Sequence, residues 1–165
     1  MLHVYKNKPL GVNEREVLRR FLFSCVTGLR ISDTARIHRN MIISNILTFT
    51  PYKTRGVGKT LKIPLQKIAR DLIDGCDGLL FKTFSDQYVN ETLKVIAGRA
   101  DIYKRLTYHC ARDTFGTIFF EMTGNIKLLS DLMGHSSMKT TAIYTKLSAK
   151  YKQQEMDKFD EIFKL

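Results

Sequence analysis

The sequence predicts an α+β fold, mainly helical, with a small three-stranded antiparallel sheet, and three observations carry that expectation. Apolar residues recur at helical spacing in Val17, Leu18, Phe21, Leu22, Cys25 and Val26, and again in Val89, Leu93, Ile96 and Ala97. Between these two stretches the period shortens, and 41–43, 46–50 and 60–64 read as short β-rich runs. A chain of 165 residues with 44% apolar content can bury one good core, so a single domain over 1–165 is expected.

Taken in order, Asn13 is placed to cap a helix that runs through Cys25 or Val26, with Arg15, Glu16, Arg19 and Arg20 mostly on the face opposite the core. In the following Thr27-Gly28-Leu29-Arg30-Ile31-Ser32-Asp33, Gly28 ends that helix, Ser32 caps a short new one, and Arg30 is held in the tight connection. The planar fork of an arginine so held suits a phosphate. The plain alternative is that Arg30 pairs with Asp33. Ser44-Asn45 joins the first two strands, and a basic loop with Lys53, Arg55 and Lys59 joins the second to the third. Taken alone, that loop is a solvated basic turn. It is not the phosphate loop of an NTPase, because Gly-Val-Gly in place of the four-residue spacer precedes Lys59-Thr60, and a strand rather than a helix follows.

A short helix is expected over 65–73, and Ser85 caps a longer one on which Lys94 and Arg99 are exposed. Thr107 caps the next, with Phe115, Ile118, Phe119 and Met122 as its core-facing stripe. After Gly124 comes another helix, whose apolar face is Leu128, Leu129, Leu132 and Met133 and which stops at Gly134. Beyond Tyr144 the chain turns Lys-rich and then amphipathic, with Met156, Phe159, Ile162 and Phe163 at helical spacing.

Composition narrows the function. Lys and Arg total 27 against 16 Asp and Glu, a formal charge of +11, which points to a polyanionic partner, nucleic acid ahead of an acidic membrane surface. No apolar run approaches the roughly 20 residues that span a bilayer, and the N-terminus lacks the apolar core of a signal peptide, so a cytoplasmic protein is expected. Cys25, Cys76 and Cys110 form no CxxC pair and are odd in number, which favours buried thiols over disulfides or zinc.

His109 and Arg112 stand three apart on one helix face, His135 follows Gly134 directly, and Tyr144 comes nine residues later. Two histidines, an arginine and a tyrosine suggest an anion site with a nucleophile. TGLRISD at 27–33, LTYHCARDTF at 106–115 and LMGHSSMKTTAIYTK at 132–146, in this order and separation, resemble the tyrosine recombinases, the integrases of phages and mobile elements. The resemblance extends from Asn13 to about Lys150 and corresponds to that family's catalytic domain.

The resemblance implies that Arg30 and Arg112 clamp a scissile DNA phosphate, that His109 and His135 donate hydrogen bonds to its oxygens, and that Tyr144 attacks. Lys53 would protonate the leaving 5′ oxygen, with Lys59 as second choice, and Arg55, Lys59 and Lys139 would contact DNA. It implies a 3′-phosphotyrosine intermediate formed without cofactor, metal or ATP. The residue types agree with such chemistry. Two guanidinium forks offset charge that grows on the non-bridging oxygens, and a positive site favours the anion of a phenol whose ordinary pKa is about 10. The implied partner is double-stranded DNA and no membrane, in the cytoplasm of a bacterium. The implied assembly is a homo-oligomer on DNA, a tetrameric synapse in the full-length protein, with the isolated domain a monomer and the tail at about 150–165 docking on a neighbour. Two departures stand out: Asp113 occupies a place where many relatives carry a histidine, and the family's N-terminal core-binding domain is expected to be absent. The competing readings are a nicking-closing enzyme of the type IB topoisomerase kind, and a non-catalytic basic DNA-binding module in which His109, Arg112 and Tyr144 are packed or solvated.

Overall fold

A computed structural model describes residues 1–145, apart from the side chains of Thr54 and Val57, so the expectation for the tail at 150–165 lies outside the described residues. The chain divides into two compact units, 1–115 and 116–165, and the division falls inside one helix.

The first unit is assembled around α2 (Val12–Thr27), which follows a short α1 (Leu2–Asn7). The helix starts earlier than Asn13 predicts: Gly11 is its N-cap, and the Glu14 carboxylate accepts a 2.9 Å bond from the Gly11 N–H, so Asn13 lies within the first turn. Arg99 donates to the same carboxylate at 2.8 Å and holds it below its ordinary pKa, so Arg99 is paired as well as exposed. Val17, Leu18, Phe21 and Phe23 are buried as expected. The charged face differs. Arg20 is only 1% exposed, and the Arg19 fork bonds Glu16 and the carbonyls of Leu72 and Leu80 while lying over the Phe81 ring. The reason is that α2 is packed by α1, by α3 (Ile31–Thr34), by α4 (Lys67–Asp71) and by α5 (Asp86–Arg99), which leaves it little solvent side.

Gly28 ends α2 with φ 71°, as its position predicts. A Cβ there would lie 2.6 Å from the Phe115 ring. Gly28→Ala is therefore expected to cost ~2–4 kcal/mol, left-handed strain and overpacking together. A shift in urea midpoint at unchanged slope measures it; a loss below ~1 kcal/mol would mean that the ring yields freely. The next helix begins at Arg30 and not at Ser32. Arg30 has extended backbone angles, and its carbonyl accepts from the amides of Asp33 and Thr34 at 3.0 Å each, so Ser32 is already helical.

The sheet is antiparallel in the order β1 (Ile42–Ile43), β2 (Ile46–Phe49), β3 (Leu61–Pro64). Ser44 and Asn45 turn the first hairpin with φ of 50° and 62°. Leu47, Phe49, Leu61 and Ile63 face the core while Thr48 and Lys62 face out, the alternation that fixes register. Between β2 and β3 the basic loop contains a 3₁₀ helix, Tyr52–Val57, which the hairpin-loop expectation did not contain. Ser85 caps α5 as predicted, its hydroxyl accepting from the Tyr88 N–H at 3.2 Å.

The boundary between the units crosses α6 (His109–Thr123), which Thr107 opens by accepting the Cys110 N–H on its carbonyl. The predicted stripe is displaced. Ile118 is 50% and Met122 80% exposed, whereas Ala111, Arg112, Gly116 and Phe120 are buried. Two of those four are not apolar, so apolar periodicity points one stripe aside. In the second unit α7 (Ile126–Met133) packs on α8 (Met138–Thr145). Leu129 and Met133 are buried, Leu128 is exposed contrary to expectation, and Gly134 ends α7 with φ 62° as predicted.

The three cysteines are free and half-buried rather than fully buried, although desolvation pushes the Cys25 thiol up to about 12. Among the described residues no helix is long and apolar enough to cross a membrane.

Candidate active site

In the first unit, Arg30, His109 and Arg112 come together around a recess of about 180 Å³ whose remaining lining is Leu29, Ile31, Ser32 and Tyr108. Two segments far apart in sequence form it: the α2–α3 connection and the start of α6. Gly28 makes the sharp exit that turns Arg30 toward α6, and the His-x-x-Arg spacing puts both α6 side chains at the recess.

The three side chains are held differently. Arg112 is 4% exposed and donates to the Gly28 carbonyl at the end of α2. The His109 side chain is 70% exposed and stands 3.6 Å from Asp113, one turn on, an ion-pair distance but not a hydrogen bond. Asp113 thus pairs along its own helix. Arg30 stands 3.9 Å from Asp33, so the plain alternative pairing is present but loose. Asp33 instead accepts the Tyr52 N–H at 2.9 Å. The buried Nη1 of Arg30 has no hydrogen-bond partner among the described residues. Leaving a charged donor unsatisfied is costly, and an anionic oxygen in the adjoining recess would satisfy it.

Beneath the recess lies a polar network that the sequence reading did not find. The Tyr108 hydroxyl donates to the Arg20 carbonyl at 2.9 Å and lies 2.7 Å from the Ser24 hydroxyl and 3.1 Å from that of Thr34. Burial pushes the Tyr108 phenol above its ordinary value.

Lys53 and Lys59 are exposed, and neither lines the recess. Lys53 sits on the 3₁₀ helix whose first residue, Tyr52, is tied to Asp33; the Tyr52 ring carries the Arg55 guanidinium 4.3 Å and that of Arg36 5.2 Å from its centroid.

In the second unit, His135 leaves the end of α7 with its N–H donating to the Ser130 carbonyl, and its Nδ1 lies 2.8 Å from the hydroxyl of buried Thr141 on α8. Tyr144, one turn further along α8, is 3% exposed. Its ring packs against Gly116, where a Cβ would approach it to 2.6 Å. Lys139 is exposed on the first turn of α8. His135 and Tyr144 are therefore placed by the same helix pair.

The architecture is that of a known class. The chain superposes on XerH site-specific recombinase bound to a palindromic difH substrate, in a post-cleavage complex, with a TM-score of 0.70 at 16% identity, over 96% of this chain and 50% of that one. The fold is the tyrosine recombinase catalytic-domain fold. Residues 1–151 match the family model described as the phage integrase family, and the chain belongs to that family. It is 29% identical to the integrase of Escherichia phage P2 over 128 residues, 77% of this chain and 36% of that protein. It is 27% identical to the tyrosine recombinase XerC of Xanthomonas axonopodis pv. citri (strain 306) over 158 residues, 89% of this chain and 51% of that protein. The chain thus spans about half or less of the length of these relatives.

Proposed function

We propose that this chain is the catalytic domain of a site-specific recombinase that cleaves and rejoins double-stranded DNA through a 3′-phosphotyrosine. The observation that carries the reading is the recess of Arg30, His109 and Arg112, in which a buried guanidinium donor lacks an acceptor among the described residues. The family assignment, the XerH complex with its palindromic difH substrate and a charge of +11 support it.

In this mechanism the two arginines and His109 hold the non-bridging oxygens of one phosphate. His135, its ring set by Thr141, donates to the same group. The Tyr144 phenol gives up its proton to solvent as its oxygen attacks phosphorus, the Oη–P bond forms, the bond to the 5′ oxygen breaks, and a proton from Lys53 completes the leaving hydroxyl. Charge builds on oxygens that face fixed donors, so stabilisation is greatest in the transition state. The phosphotyrosine retains the energy of the broken bond, and a 5′ hydroxyl reverses the step without ATP or a metal. Arg55, Lys59 and Lys139 contact the DNA backbone. The active form is a homo-oligomer on DNA, tetrameric in the full-length protein, with the tail at 150–165 docking on a neighbour.

A suicide substrate nicked near the cleavage point tests the reading: a denaturing gel should show a covalent adduct mapping to Tyr144, and a native gel of the same reaction reports assembly. No adduct on any recombination site, or an adduct at another residue, rejects the mechanism. The lysine role has its own test. Lys53→Ala should slow cleavage, and a 5′-bridging phosphorothiolate, whose sulfur leaves without a proton, should restore the rate. If Lys59→Ala is rescued and Lys53→Ala is not, the two roles are exchanged.

A further inference from the structure

We infer that Arg20 is a positioning residue for this reaction: a buried guanidinium that fixes the main chain behind Arg30 and, through Thr34 and Tyr108, ties that turn to the start of the helix carrying His109 and Arg112. The inference deepens the reading of the recess as a phosphate site and rests on it.

Arg20 donates from Nη2 to the Ile31 carbonyl at 2.6 Å and from Nε to the Thr34 hydroxyl at 2.9 Å. Ile31 follows Arg30 directly, and Thr34 closes the same short helix, so both bonds brace the turn that delivers Arg30. Thr34 in turn meets the Tyr108 hydroxyl, and the Arg20 guanidinium lies 5.4 Å over the Tyr108 ring. Ile31 and Tyr108 both line the recess, one on each of the segments that form it. Arg20, Thr34 and Tyr108 therefore join the two walls from behind.

Stability alone does not account for an arginine here. None of the ion pairs among the described residues includes Arg20, and its Nη1 is buried without a hydrogen-bond partner among them. An uncompensated buried charge is among the costliest features a core can hold, and an apolar side chain of similar volume would avoid it. What the arginine adds is a rigid fork with two aimed donors, and a positive charge in a low-dielectric place next to an anion site. Phosphate clamps tolerate displacements of only about 0.5 Å before catalysis suffers, which is the demand such a brace meets.

The test uses Arg20→Met, which keeps volume and removes both donors and charge, Arg20→Lys, which keeps the charge without the fork, and Tyr108→Phe, which removes one hydroxyl. In single-turnover cleavage at a temperature where each variant is folded, Arg20→Met should be slower by ~10-fold or more, and DNA affinity should stay within about twofold. Arg20→Lys and Tyr108→Phe should fall between Arg20→Met and the parent, and Tyr108→Phe serves in place of Arg20→Met if the latter does not fold. Backbone amide exchange should quicken at 30–35 and stay unchanged in α5. Cleavage by Arg20→Met at the parent rate overturns the inference, as does a rate loss matched by an equal loss of affinity or of folded fraction. If the parent forms no adduct at Tyr144, the functional reading fails by itself. Amide exchange then decides the inference: unchanged exchange at 30–35 in Arg20→Met rejects it.

Discussion

Tyr144→Phe is expected to remove all covalent adduct while DNA binding stays within a few-fold. The substitution deletes one oxygen and keeps the ring, and the ring is what fills the seat on Gly116. The fold of the second unit should therefore persist, and a change in thermal midpoint beyond that of one lost hydrogen bond, ~1 kcal/mol, is not expected. Tyr108, the nearest rival in sequence to the His109 motif, is a poor substitute nucleophile. Its hydroxyl already serves Ser24, Thr34 and the Arg20 carbonyl, and burial raises its pKa, which disfavours the phenolate. Adduct that survives in the variant, or that peptide mapping places on Tyr108 or Tyr151, would remove Tyr144 from the mechanism.

Arg30→Ala and Arg112→Ala should each slow cleavage by at least ~100-fold, the usual effect of deleting a donor aimed at developing charge. The two should separate in stability. Arg112 is buried and its guanidinium satisfies the Gly28 carbonyl, so its loss leaves that acceptor unpaired and should lower stability by ~1–3 kcal/mol. Arg30 is only loosely paired and has a donor with no acceptor among the described residues, so its loss should be close to neutral for the fold. Thermal melts beside cleavage assays in EDTA read both effects. Strict dependence on Mg²⁺, or full activity in Arg30→Ala, would show that the arginine clamp is not how the phosphate is activated.

Much of the fold was legible because backbone geometry leaves marks in sequence. Gly28 and Gly134 end helices in the left-handed region, Ser85 caps α5, and Ser44-Asn45 turns the first hairpin. Legibility failed where a polar side chain was placed inward. Arg20, Ser24 and Thr27 recur at helical spacing and are all buried, a polar stripe beside the apolar one, yet charge at position 20 reads as a solvent face until the surrounding helices are known. The same effect displaced the stripe of α6, where Arg112 and Gly116 occupy inner positions. The motifs identified Arg30, His109 and Arg112 as partners, and the recess unites them. The same motifs carried no sign of the Arg20–Thr34–Tyr108 brace, because Arg20 and Thr34 lie outside the recognised motifs and Tyr108, although inside the stretch 106–115, has no role in the implied chemistry. The 3₁₀ helix under Lys53 was missed because its six residues, Tyr52–Val57, have polar, basic and glycine residues between the two ends and no apolar period to reveal it.

The bond from Arg112 to the Gly28 carbonyl has a consequence for the safety of the cell that makes this chain. On the proposed function, the recess is a site that breaks DNA, and such a site would be a hazard in any half-finished state. Here one wall of the cleft is fastened to the very end of the central helix, so the charges converge only when that helix is formed, terminated and docked. A nascent or heat-loosened chain holds the same arginines, scattered. On that reading, competence to cut is a property of the finished molecule and is lost in the same cooperative step that loses the fold.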